Sequence, residues 1–141
     1  MSFGKTVGLA MILALPHAGC GGDGGAKPSN VDPPFAGTNL GPQEWAAVGH
    51  IGVGSQRVPF EVSVDWTFRS NNVDVYVTTD DCVDTPTALS AWSCIIVVKA
   101  EGQTAKPERA TFLGEADSSY KVFVVNRGTR PDVVTVNITN R

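Results

Sequence analysis

Between Val58 and Phe68 the chain reads VPFEVSVDWTF, with apolar and polar side chains taking turns. Phe60, Val62, Val64, Trp66 and Phe68 fall on one side of an extended chain; Glu61, Ser63, Asp65 and Thr67 fall on the other. Successive side chains of a strand point to opposite faces, so this period of two predicts a half-buried β-strand. Val73 to Thr79 repeats the pattern, with Val73, Val75 and Val77 inward and Tyr76 on the polar, surface side. Ser70, Asn71 and Asn72 between the two have turn chemistry. Trp92 to Ala100 is a more continuous run rich in β-branched residues, which suits a central strand. There Trp92, Cys94, Ile96 and Val98 share a face.

Four more segments complete the picture. Tyr120 to Asn126 and Val133 to Thr139 are strong strands, Arg109 to Leu113 is a weaker one, and Trp45 to Val53 is a moderate one interrupted by two glycines. About seven strands, turn residues every 8–15 positions and no stretch long enough for a stable helix predict an all-β fold, a single antiparallel β-sandwich over residues 45–141.

The N-terminal third breaks this pattern. Lys5 is followed by the uninterrupted apolar run Val7 to Leu15, then Pro16 and the small residues Ala18 and Gly19. A positive start, a short apolar core and small residues at a cut site are the marks of a secretory signal peptide, read here as residues 1–19. The run is shorter than the ~20 apolar residues a bilayer-spanning helix needs. Residues 20–44 contain six Gly and four Pro with almost no periodic apolar pattern, and read as a flexible tether.

His17-Ala18-Gly19-Cys20 resembles a lipoprotein signal, in which small residues precede a cysteine that is acylated. His17 departs from that pattern at the position where Leu is expected, which bears on lipidation and not on export. The resemblance implies a bacterial lipoprotein held to the membrane through a lipid (palmitate) on Cys20, at the outer membrane or cell surface, with a freely secreted or periplasmic form as the alternative. Cysteine arithmetic agrees. The chain has three cysteines, and acylation of Cys20 leaves Cys82 and Cys94 to pair with each other in an oxidising compartment. Their bridge would close a loop of about a dozen residues, worth roughly 3 kcal/mol.

Asp117 to Asn126 (DSSYKVFVVN), with Asp65 to Phe68 and Val73 to Val77, is similar to strands of pre-peptidase C-terminal domains and of immunoglobulin-like extracellular modules. That resemblance implies a small accessory sandwich, sometimes calcium-stabilised, without catalysis of its own.

Charge and candidate chemistry narrow the function. The full chain carries 11 basic and 14 acidic residues; losing Lys5 with the leader leaves 10 against 14, a net of −4. This argues against nucleic acid, which wants clustered Lys and Arg. Asp80, Asp81 and Asp84 follow a strand beside Cys82 and offer oxygen ligands for calcium, without the spacing of an EF-hand; the competing reading is a solvated acidic loop. His50, the one histidine after the leader, sits in a Gly-rich strand with no G-x-S-x-G motif, and is expected to face solvent. Trp66 is expected in the core, Trp92 against the disulfide, and Trp45 as the freest aromatic, with Tyr76 as its partner in a glycan-binding surface. The expectation is a non-enzymatic envelope module that interacts with another envelope protein. A calcium- or glycan-binding module is the alternative, and a hydrolase comes third.

Overall fold

The computed structural model describes residues 29–31, 35–83, 94–102 and 105–141. They form nine strands: β1 (Asn30–Val31), β2 (Phe35–Leu40), β3 (Trp45–Gly52), β4 (Val58–Trp66), β5 (Val73–Thr79), β6 (Ile96–Ala100), β7 (Glu108–Gly114), β8 (Ser119–Asn126) and β9 (Asp132–Asn140). All pairings are antiparallel. One sheet has the order β1-β3-β8-β5-β6 and the other β2-β9-β4-β7. The fold is the expected antiparallel sandwich. The leader, Cys20, Asp84 and Trp92 lie outside the described residues.

The alternation in β4 does what it predicts. Phe60, Val62, Val64 and Trp66 are buried and meet Val75, Val77, Val122 and Val124 of the facing sheet. Trp66 also satisfies its indole nitrogen, which donates to the Asn71 carbonyl at 3.1 Å. Phe68 departs from expectation: β4 ends at Trp66, and Phe68 is 41% exposed with Arg130 4.8 Å over its ring.

Two strands come from the stretch read as a tether. Phe35 and Leu40 are five residues apart, which breaks a period of two. A bulge in β2 between Ala36 and Thr38 restores it. The extra residue is Gly37 at φ 79°, a conformation open to glycine. Beyond the bulge Leu40 points inward and is 1% exposed. The sandwich therefore begins ahead of Trp45.

Bulges also correct the reading of residues 92–100. Ile96 lies opposite Thr78, but Val98 lies opposite Val77, because Val97 is an extra residue. Ile96 and Val98 thus sit on opposite faces, and the strand is short and at the sheet edge instead of central.

The five-stranded sheet is buried on both faces at β5. Its inner face joins the main core. Its outer face carries a second cluster of Tyr76, Cys82, Cys94, Phe123 and Val125, flanked by Trp45 and Ile96. Tyr76, expected on the surface, is 4% exposed. The alternation in β5 is real, but the side chains on its second face are covered as well.

Candidate functional site

The Cys82–Cys94 disulfide is present, with Cα atoms 4.9 Å apart. It ties the turn after β5 to the start of β6, and Lys121 of β8 donates to the Cys82 carbonyl at 2.7 Å. The disulfide fixes where Ile95 and the aspartate turn stand relative to each other.

Beside it lies a groove of about 610 Å³ at one end of the sandwich. Residues 101–107 join β6 to β7 at their other end, and here the two strands face each other across the groove. Its apolar lining is Ile95, Val97 and Leu113, which are 64%, 39% and 51% exposed. Val97 is the bulge residue of β6, which explains why a valine in a strand faces outward. Leu113 stands on the outer face of β7, opposite Pro59. Large exposed apolar groups gathered at one concave place are informative, whereas scattered ones are not.

The rim is acidic. Asp80, Asp81 and Glu115 line the groove together with the hydroxyl residues Ser118 and Ser119. Asp80 bonds His50 Nε2 at 3.0 Å, and Arg57 Nε reaches Glu115 at 2.6 Å. Asp81 accepts from the Thr79 hydroxyl at 2.5 Å. The wall behind them is rigid: Tyr120 is buried, packs edge-on against Phe112 and accepts from the Glu115 amide at 3.0 Å.

Asp80 and Asp81, two of the three residues expected to offer calcium ligands, are thus both tied to neighbouring side chains. Among the described residues no group of three or more His, Cys, Asp or Glu is placed to hold a metal ion. His50 is the more informative residue. Sequence spacing gave no reason to join it to Asp80, because β3 and the turn after β5 meet only through β8.

Trp45 and Tyr76 come together, with ring centroids 5.0 Å apart. They do not form an open aromatic platform, because Arg127 lies 5.1 Å over the Trp45 ring and donates to the Tyr76 hydroxyl at 3.2 Å. The same guanidinium binds Asp74 at 3.0 Å, and the Tyr76 hydroxyl donates to Glu101. Burial first, then the bond to Glu101, pushes the Tyr76 phenol up to about 12. Lys99, and then the Tyr76 hydroxyl, hold the Glu101 carboxyl below the usual carboxylate range. This network caps the second cluster and leaves little aromatic surface for a sugar.

Sequence reasoning missed two buried polar features. Asp132, 1% exposed, accepts from the Thr67 and Val133 amides at 2.8 Å and from Asn71 Nδ2 at 2.8 Å, closing the end of the sandwich opposite the groove. Glu108, 2% exposed, lies opposite Val64 and therefore points into the space between the sheets. Neither of its carboxylate oxygens has a hydrogen-bond partner among the described residues. Burial above all, then Asp74 and Glu101, raises its carboxyl to about 7. An acidic residue opening a short strand carried no sequence signal of this.

No protein-family model matches the chain, and no curated protein matches it. The class that the fold defines is an all-β, two-sheet antiparallel sandwich carrying one disulfide among its described residues.

Proposed function

We propose that the chain is an exported, non-enzymatic module of a bacterial envelope, held to the membrane by a lipid on Cys20, that docks another envelope protein in the groove between β6 and β7. The observation that carries the docking role is the gathering of Ile95, Val97 and Leu113, all exposed, around one concave site with a rigid wall. Apolar surface left open to water at one place favours burial against a partner. Two features of the chain support the anchor. A signal-like leader precedes Cys20, and Cys82 and Cys94 are paired with each other, which leaves Cys20 as the odd cysteine.

Palmitate labelling of the wild type and of Cys20→Ala tests the anchor; label in the first and none in the second is expected, and equal label in both overturns it. Docking is tested by placing a photo-crosslinking residue at Val97 or Leu113, with exposed Thr135 of β9, away from the groove, as control. Discrete adducts in living cells from the groove positions alone are expected. Adducts of the same kind from Thr135, or none from the groove, would remove the docking role.

A further inference from the structure

The groove is bordered by two edge strands. Among the described residues β6 ends the five-stranded sheet and β7 ends the four-stranded one. β6 pairs with β5, and no other described strand pairs with its outer row of backbone N–H and C=O groups. Natural edges are blunted by charge, proline or bulges to stop strands from adding to them. β6 carries one Lys (Lys99) and its bulge, yet the end that borders the groove presents Ile95 and Val97 without a charge between them.

The rim specifies sign. Asp80, Asp81 and Glu115 bring three carboxylates to the groove, against the guanidinium of Arg57 on Glu115, the imidazole of His50 on Asp80, and the ammonium of Lys121, which donates to the Cys82 carbonyl in the aspartate turn. Both ion pairs are exposed: side-chain exposure is 63% and 53% for Arg57 and Glu115, and 44% for each of His50 and Asp80. Pairs this open are weak and readily exchange partners. An incoming cation therefore meets carboxylates that it can take over.

Resting on the docking role just proposed, we infer that the groove takes an extended peptide in which apolar and basic side chains alternate, laid along the outer edge of β6 as an added strand. The strand's period of two sends one set of side chains onto Ile95, Val97 and Leu113 and the other set outward to the acidic rim, while its backbone pairs with the free edge. Main-chain bonds supply affinity in this mode, and the alternating side chains supply choice.

The probe is a fluorescent, end-blocked octapeptide alternating lysine and valine, titrated by anisotropy against the full chain in detergent micelles. One twin alternates glutamate and valine, and a second carries N-methyl groups on alternate amides. Saturable binding of the lysine peptide is expected, with both twins weaker. Asp81→Asn with Glu115→Gln should weaken the lysine peptide about tenfold, a loss of about 1.4 kcal/mol, as expected for two exposed charge pairs. Ile95→Ser removes an apolar contact without adding charge and should lower affinity as well, and circular dichroism checks that each variant is folded. Equal binding of the glutamate twin overturns the basic class. Equal binding of the N-methyl twin overturns strand addition. Loss of all peptide binding while groove crosslinks persist in cells overturns this inference and leaves the docking role standing; loss of both removes both. Concentration-dependent self-association abolished by Val97→Lys would replace the peptide with a second copy of the chain.

Discussion

Glu108 gives the sharpest test of the energetics. Its carboxylate is enclosed between the sheets, with neither oxygen bonded among the described residues. The groups around it add to the difficulty of ionising it. Asp74 approaches from β5, its charge already met by Arg127 at 3.0 Å, and Glu101 approaches from the end of β6, paired with Lys99 at 2.8 Å. Lys106, two residues away, is turned to the Trp66 carbonyl and to Asp65 at 3.1 Å. The folded carboxyl is therefore raised from 4.5 to about 7. A raised acid favours the folded state when protonated. Its contribution is complete below the unfolded value of 4.5 and is lost as pH climbs to about 7. At ~1.4 kcal/mol per pH unit that interval amounts to about 3 kcal/mol as an upper bound, and local opening that admits water cuts it to roughly 1–2 kcal/mol. Glu108→Gln removes the ionisation and keeps the shape. Urea unfolding of wild type and variant, from pH 5 to pH 8, isolates the effect, because every other titrating group is common to both. The variant should gain on the wild type as pH rises and exceed it at pH 8 by ~1–2 kcal/mol, a midpoint shift of several degrees in a thermal scan. Parallel profiles across that range would refute the reasoning.

Other expectations follow from single contacts. Replacing Cys82 and Cys94 by Ser reopens a loop with a sequence separation of 12 and should cost about 3 kcal/mol, read as a lower urea midpoint. Gly128→Ala should destabilise by at least ~2 kcal/mol, because a Cβ there would stand 1.8 Å from the Asn71 side-chain oxygen, and Asn71 is itself held by Asp132. Asp132→Ala leaves the Thr67 and Phe68 amides short of an acceptor and should cost about 2–4 kcal/mol by the same measurement. With Tyr120→Phe leaving Tyr76 as the one tyrosine, absorbance titration should show its phenol ionising near 12, and Arg127→Met should move that value further up.

The strands that carry the core were legible where alternation is unbroken. β4, β5, β8 and β9 were found at or within two residues of their ends, because each keeps a period of two against the same buried layer. What escaped lies at bulges and at the covered outer face. Gly37 in β2 and Val97 in β6 each insert one residue, and a single insertion sends every later side chain to the face opposite the one a strict period of two assigns. Phe35 and Leu40 therefore read as linker in the sequence, and Ile96 and Val98 read as one face. Tyr76 escapes for another reason. A polar-tipped aromatic on the second face of a strand reads as surface unless something distant in sequence covers it, and here Trp45, Phe123 and Arg127 do. The pairing of Cys82 with Cys94 follows in the sequence from reserving Cys20 for a lipid, since three cysteines alone allow three pairings. The groove was not, since β5, β6, β7 and β8 meet there only in three dimensions.

The covered outer face also explains why the groove sits where it does. A sandwich of this size needs one core between its sheets, and a second apolar layer outside β5 and β8 calls for a cover of its own. At the β3 side Trp45 and Arg127 supply it; at the β6 side the disulfide does, packing Cys82 and Cys94 onto Tyr76, Phe123 and Val125. The bridge pulls the turn carrying Asp80 and Asp81 against the start of β6, which sets an acidic turn beside Ile95 and the Val97 bulge. A sheet covered on that face leaves its edge and its end exposed among the described residues. Ile95 and Val97 are exposed there, with Leu113 on the edge strand of the other sheet, and the same covalent link that completes the second layer holds the charged rim at a fixed distance from them.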